Sequence, residues 1–160
     1  MLAVLDRHGV HYVLIGGYAA TVHGARRPTQ DIDITPASTA ENLFRLIAAL
    51  RELRAGIRVD NAPEGLPFDT SVAALRGVRV LNLRTPYGDI DLTFEPAGTH
   101  GFDDLMAHAL IRDVDGVVVH VASLDDVIRS KEAAGRAKDD DALPELYRLA
   151  HKQHRARADE

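Results

Sequence analysis

The stretch with the clearest structural signal is residues 12–34, YVLIGGYAATVHGARRPTQDIDI. Its apolar start has the length of a buried strand and leads directly into Gly16 and Gly17. This order predicts a tight turn from a strand into a helix that begins near Tyr18. Glycines let backbone N–H groups approach an anion closely, and the positive end of a helix attracts phosphate. We therefore interpret Gly16 and Gly17 as a phosphate cradle, the alternative being a turn that needs glycine for its backbone alone.

An alternating acidic segment ends this stretch. Polar and apolar side chains alternate over residues 30–34, so Asp31 and Asp33 should share one face of a strand while Ile32 and Ile34 face the core. Two like charges in one small volume either raise a pKa or require a cation, and Mg²⁺ prefers oxygen ligands. The pair therefore predicts a site for Mg²⁺ (or Mn²⁺), the alternative being the solvent face of an edge strand.

A second acidic segment occurs further along the chain. Residues 87–92, YGDIDL, repeat the alternation after a turn signalled by Gly88. If the two acidic strands are neighbours, Asp91 joins Asp31 and Asp33. Three carboxylates holding two Mg²⁺ ions would clamp a nucleoside triphosphate (NTP), lower the pKa of an attacking hydroxyl and neutralise the leaving pyrophosphate. This pattern indicates nucleotidyl transfer.

The motifs form an ordered set over most of the chain. They comprise Ile15, Gly16, Gly17, Tyr18, Ala19, Ala20, His23, Gly24, Arg27, Thr29, Asp31, Ile32 and Asp33, followed by Lys131, Arg136, Lys138 and Asp139. The Gly-Gly turn and Asp-x-Asp resemble the signature of nucleotidyltransferases with a DNA polymerase β-like fold. Over about residues 10–146, the set is similar to the AbiEii-like nucleotidyltransferases, many of which are toxins of toxin–antitoxin systems.

The resemblance implies which acid completes the metal-binding set. The family pattern selects Asp91, so that Asp89 would be only the polar entrance of its strand. It also implies that Lys131 contacts the nucleotide phosphates, the alternative being an exposed helix face.

The motif Arg136, Lys138 and Asp139 also has two interpretations. The resemblance implies that Arg136 and Lys138 help to bind the triphosphate. Alternatively, the three residues form an ion-pair cluster that holds the last helix in place, an arrangement that contributes little energy at a surface.

The acceptor is indicated by analogy alone. Because the acceptor of AbiEii-like toxins is often tRNA, the resemblance implies tRNA modification and a cognate antitoxin as partner. The chain departs from the family in two ways: Gly17 replaces a frequent serine, and little sequence follows Pro144, where such toxins commonly carry a larger helical domain. A small molecule such as an aminoglycoside, or a protein hydroxyl, is therefore an alternative acceptor. A catalytically silent domain that binds a nucleotide or a partner is the alternative from another class.

Composition limits the classes of protein to which the chain could belong. The 160 residues suit a single domain, with a core near residues 10–146 and a basic tail over 151–160. The absence of cysteine excludes disulfides and thiolate metal sites. The net charge of −5 disfavours nonspecific coating of nucleic acid, although the tail is either an RNA contact or a solvated face. With no signal peptide and no membrane-spanning segment in the sequence pattern, we expect a cytoplasmic protein.

The periodicity predicts an α/β (α+β) fold, with a small mixed sheet, helices mainly on one face and short C-terminal helices. The predicted strands are residues 12–15, 30–34, 78–83, 89–94 and 117–121, of which 78–83 and 89–94 form a hairpin. The predicted helices are about residues 2–8, 18–23 and 40–53, and a helical end that begins after Ser123 and has Pro144 in a first turn. Ser38 with Glu41 is a predicted capping box, and residues 58–68 are a loop or irregular strand.

Overall fold

The computed structural model describes residues 1–158, apart from the side chain of Arg157. Within this part of the chain the strands are β1 (Tyr12–Ile15), β2 (Ile32–Pro36), β3 (Gly56–Val59), β4 (Ala62–Leu66), β5 (Val80–Thr85), β6 (Gly88–Thr93), β7 (Leu110–Val114) and β8 (Val117–Val121). The helices are α1 (Leu2–Arg7), α2 (Gly16–Val22), α3 (Ala40–Glu52), α4 (Val72–Leu75), α5 (Phe102–His108), α6 (Leu124–Ala134) and α7 (Ala137–Ala158). Of the predicted basic tail, residues 159 and 160 lie outside the described part.

The strands form one mixed sheet in the order β4-β3-β5-β6-β2-β1-β8-β7. Strand β2 lies at its centre, antiparallel to β1 and parallel to β6. In these two pairings Asp33 is opposite Ile15 on one side and Asp91 on the other. The end of β1, where the glycine turn begins, therefore lies beside β2, and β6 lies on the other side of β2.

The side-chain alternation of the acidic strands determines which face is buried. Ile34, Ile90 and Leu92 are fully buried, while the aspartates at the positions between them point to the opposite face. Burying each of these apolar side chains contributes about 1.5–3 kcal/mol. This burial holds the register, because a slip of one residue would turn the aspartates into the core.

Helix α3 closes part of this core through Leu46 and Leu50. Its N-cap is Thr39, whose side chain accepts a hydrogen bond from the backbone of Asn42, so the predicted cap at Ser38 is wrong by one residue. Both hydroxyl residues match the capping pattern, and Thr39 is the one adjacent to the first helical turn.

The mixed α/β class and the β5–β6 hairpin are confirmed, but the sheet is larger than predicted. The segment expected to be a loop or irregular strand contains the end of β3 and all of β4, which pair with each other and extend the sheet beyond β5. At the other edge, β7 pairs with β8 in a hairpin that the sequence pattern did not predict.

The C-terminal helix is longer than predicted. Pro144 lies inside α7, not in a first helical turn. Proline removes one helical N–H group, but Leu146 and Ala150 beyond it are buried and keep the following turns packed. Among residues 1–158, no helix is both long and apolar enough to cross a membrane.

Candidate active site

The glycine turn packs directly against one acidic strand. Helix α2 begins at Gly16, two residues earlier than predicted, and Gly16 has a φ of +64°. A Cβ atom at this position would lie 2.5 Å from Oδ2 of Asp33, a distance that no side chain tolerates. At Gly17 a Cβ atom would lie 3.2 Å from Oγ1 of Thr29. The backbone thus approaches the Asp33 carboxylate as closely as glycine alone permits.

The acidic side chains come from two parallel strands. Asp33 and Asp91 are register partners on β2 and β6, and both point to the face opposite the buried isoleucines. Asp31 immediately precedes β2 and is the most open of the three, with its side chain 44% exposed, against 14% for Asp91. The structure therefore brings Asp33 and Asp91 side by side, with Asp31 at the rim.

Crowding changes the protonation of these acids. Burial, together with the charges of Asp91 and Asp31, raises the pKa of Asp33 to about 6, although Lys138 and Lys131 act against the rise. Burial also raises the pKa of Asp91. In addition, Oδ1 of Asp91 is buried and has no hydrogen-bond partner among the described residues. The cluster therefore holds negative charge that the surrounding protein only partly compensates.

Arg58, on β3, is a site residue that the sequence interpretation missed. Its Nη1 donates to Oδ2 of Asp89 and its Nη2 to Oδ2 of Asp91, each at 3.1 Å. Nη1 also lies 3.9 Å from Oδ2 of Asp31. The alternation of Ile57, Arg58 and Val59 was the available signal, since it places Arg58 alone on one face of a short strand.

Asp89 has more contacts than a polar strand entrance requires. Nε of Arg84 donates to its Oδ1 at 3.1 Å, while Arg58 contacts its Oδ2. The hydrogen bond from Arg84, together with that from Arg58, holds the pKa of Asp89 below its ordinary value. Asp89 is therefore the ionised partner of two arginines beside the Asp33–Asp91 pair.

The predicted cations lie around a buried carboxylate. Nζ of Lys131 donates to Oδ1 of Asp139 at 2.9 Å, and Nε of Arg136 donates to its Oδ2 at 2.6 Å. Asp139 is fully buried. Although burial opposes it, the hydrogen bonds from Arg136 and Lys131 hold the pKa of Asp139 below its ordinary value. Lys138 takes part through its backbone oxygen, which accepts from Nη1 of Arg27, and its charge acts on Asp33.

All of the predicted site residues line one cavity of about 760 Å³, a size typical of small-ligand sites. The residues concerned are Gly16, Gly17, Asp31, Asp33, Asp91, Lys131, Arg136 and Lys138. Carboxylates and cations both line this cavity, which suits a ligand that carries both a metal ion and phosphates.

The acids do not form a preformed metal-binding site. Over residues 1–158, no three His, Cys, Asp or Glu side chains are grouped closely enough to hold a metal ion. The donor chemistry nevertheless fits a hard divalent cation, since it is all carboxylate oxygen and includes the unpaired Oδ1 of Asp91.

Three solved structures have a fold similar to that of this chain. The lincosamide antibiotic adenylyltransferase LnuA, with lincomycin bound, has a TM-score of 0.60 at 16% identity, covering 92% of both chains. A putative nucleotidyltransferase (TM1012) from Thermotoga maritima has a TM-score of 0.55 at 14% identity, covering 91% of this chain and 89% of that one. The antibiotic-resistance factor ANT(2'')-Ia has a TM-score of 0.55 at 19% identity, covering 95% and 79%. At these identities the similarity shows the fold alone.

Sequence comparison supplies the family. No curated protein sequence matches the chain. The family described as "Nucleotidyl transferase AbiEii toxin, Type IV TA system" matches residues 2–138, which is most of the chain and includes the glycine turn and all three acids. The predicted resemblance and enzyme class are confirmed, and this chain belongs to the AbiEii family of nucleotidyltransferases.

Proposed function

We propose that this protein transfers a nucleoside monophosphate from an NTP to a hydroxyl of tRNA, as the toxin of a toxin–antitoxin pair. The observation that carries the proposal is the pairing of Asp33 with Asp91 against the backbone of Gly16. It joins a carboxylate pair to a glycine turn within one cavity. Family membership supports tRNA as acceptor, a cognate antitoxin as partner and the cytoplasm as the compartment that holds them.

Asp33, Asp91 and Asp31 are the residues that would hold Mg²⁺ or Mn²⁺. The raised pKa of Asp33 and the unpaired Oδ1 of Asp91 both favour an additional cation at this place. When bound, a divalent cation neutralises phosphate charge and makes the attacking hydroxyl more acidic.

The other residues act on the triphosphate and the acceptor. Backbone N–H groups at Gly16 and Gly17, at the start of α2, would donate to phosphate oxygens. Lys131, oriented by Asp139, and Lys138 supply positive charge near Asp33, with Arg136 at the same wall. This charge offsets the negative charge that develops on the phosphates during transfer.

The reaction balances without a further reactant. The acceptor oxygen forms a bond to the α-phosphorus, the bond from that phosphorus to the bridging oxygen breaks, and pyrophosphate leaves with the electron pair. The acceptor proton passes to Asp91, on the carboxylate oxygen that does not hold the cation.

A small cationic acceptor is the second candidate. Glu145 lines the same cavity as the partly exposed Asp31, so part of its wall would attract a cationic molecule such as an aminoglycoside. The similar structures include an adenylyltransferase that acts on a lincosamide antibiotic, and this similarity concerns the fold.

The test is a labelling assay in which the purified protein, Mg²⁺ and each α-labelled NTP are combined with total tRNA. Wild-type protein should label tRNA, and both Asp33→Asn and Asp91→Asn should lower the rate at least about a hundredfold. Asp69→Asn is the matched control, because it removes the same charge from an exposed position.

Parallel reactions contain an aminoglycoside or protein in place of tRNA. Label on the aminoglycoside alone would favour the second candidate, and label on protein alone would refute a tRNA acceptor. Absence of label with every NTP and every acceptor would refute nucleotidyl transfer.

A further inference from the structure

We propose that Arg58 is a positioning residue that occupies the cation position of the acidic cluster in the metal-free protein and must withdraw from Asp91 before a divalent cation binds. This inference rests on the proposed function, because it assigns Asp91 to the metal. It concerns a residue outside the family motifs identified in the sequence.

The contacts of Arg58 are those of a substitute cation. Its two terminal nitrogens each contact a different aspartate at 3.1 Å, and Nη1 also faces Asp31 at 3.9 Å. Arg58 is only 23% exposed, so these charge-assisted bonds lie in a partly desolvated site. The planar guanidinium offers one terminal nitrogen to each carboxylate, whereas lysine has a single terminal nitrogen.

The compensation that Arg58 provides is incomplete. It contacts Oδ2 of Asp91 but leaves Oδ1 of the same carboxylate without a partner. The carboxylates that Arg58 contacts are those of Asp89, Asp91 and Asp31, and Asp33 is not among them. The single positive charge of Arg58 therefore stabilises the cluster but leaves Oδ1 of Asp91 open to a doubly charged ion.

The backbone around Arg58 permits withdrawal. Strand β3 pairs with β5 only at Gly56 and Ile57, so Arg58 lies beyond that ladder. Its pairing with β4 changes register between Ile57 and Val59, which are the two neighbours of Arg58. Because no regular pair includes Arg58, its side chain is able to move without breaking the ladder.

Asp89 provides a place for Arg58 after withdrawal. Asp89 belongs to β6 but is not one of the three acids assigned to the metal, and Arg58 already donates to it. Movement of one guanidinium nitrogen off Asp91 therefore removes a competing positive charge from the carboxylate that would hold the metal, while Arg58 keeps Asp89 as a charged partner.

The test measures Mn²⁺ affinity of the nucleotide-free protein by the electron paramagnetic resonance signal of free Mn²⁺. Arg58→Met should bind Mn²⁺ about tenfold more tightly than wild type, since the competing charge-assisted bond to Asp91 is lost. Arg84→Met is the matched control, because Arg84 contacts Asp89 from the other side and its loss changes the net charge equally. It should change the affinity by less than about twofold.

Two further variants keep the outcomes distinct. Asp91→Asn should weaken Mn²⁺ binding. If it does, and Arg58→Met binds Mn²⁺ no more tightly than Arg84→Met does, the role of Arg58 is refuted while Asp91 remains assigned to the metal. If Asp91→Asn leaves binding unchanged, the metal assignment fails and the inference fails with it. Should Arg58→Met not fold, Arg58→Lys takes its place, because lysine keeps the charge but not the two-pronged contact. An affinity of Arg58→Lys equal to that of wild type would overturn the proposal.

Discussion

Replacing Asp33 by asparagine should stabilise the metal-free protein at neutral pH while abolishing nucleotidyl transfer. The Asp33 carboxyl has an ordinary pKa of 3.8 and a folded-state pKa of about 6. Because each tenfold change in proton affinity is worth about 1.4 kcal/mol, the ionised carboxylate lowers the free energy of unfolding by about 3 kcal/mol above pH 7. Asparagine has nearly the same shape and carries no charge, so this cost disappears.

The pH dependence follows from the direction of the shift. Folding raises the pKa of Asp33, so the folded protein binds this proton more tightly than the unfolded chain does. The stability linked to this group is fully present below pH 3.8 and is lost as the pH rises through about 6. The advantage of Asp33→Asn over wild type should therefore be about 3 kcal/mol at pH 8 and about half of that at pH 5.

The assay is urea unfolding followed by circular dichroism, in buffers that contain EDTA, from pH 5 to pH 8. Asp69→Asn, at an exposed position, controls for the loss of one negative charge. If Asp33→Asn and wild type are equally stable at pH 8, or if the stability difference does not change with pH, the crowding of the acids does not raise the pKa of Asp33.

Three further substitutions test other parts of the structure. Gly16→Ala should abolish transfer in the labelling assay and lower the free energy of unfolding by about 2 kcal/mol, because its Cβ would meet Asp33 at a positive φ; wild-type activity would contradict this. Asp139→Asn should cost about 3 kcal/mol in urea unfolding, since it leaves Lys131 without its buried partner, and an unchanged midpoint would count against the pair. Asn42→Ala should cost about 2–3 kcal/mol in thermal unfolding, because its side chain makes three bonds to backbone groups; a melting temperature within about 2 °C of wild type would oppose that explanation.

Local patterns predicted the elements that carry the acids. The alternation around Asp33 and around Asp91 is a property of each short segment, so both strands and their polar faces were readable from the sequence. The parallel pairing of these two strands was not predictable from local patterns, because it depends on where the chain returns after α3, β3, β4 and β5. The resemblance to a family indicated that the two acidic strands are neighbours, which periodicity alone does not show.

The missed strands have two different causes. Pro63 and Gly65 gave the β4 segment the composition of a loop, yet β4 is the outermost strand of the sheet, where proline is tolerated. In contrast, the sequence contains a local turn signal for the β7–β8 hairpin. Asp115 and Gly116, both with positive φ, join its strands in a two-residue turn of the type that favours Asp-Gly.

Arg58 shows why the contacts of the site were harder to predict than its motifs. Nothing in the segment around Arg58 indicates that its guanidinium reaches Asp89 and Asp91, since those contacts depend on the order β3-β5-β6 across the sheet. The pairing of Arg136 with Asp139 was accessible, because Arg136 directly precedes α7 and Asp139 lies in the first turn of that helix.

The distance along the chain between β2 and β6 affects how the protein gains its activity during synthesis. A nascent chain that has not yet reached Asp91 already contains the glycine turn, Asp31 and Asp33, but lacks the strand that completes the centre. Closing so long a loop is entropically costly until β6 is present to pair with β2. A chain that ends before β6 therefore holds Asp33 without its register partner Asp91.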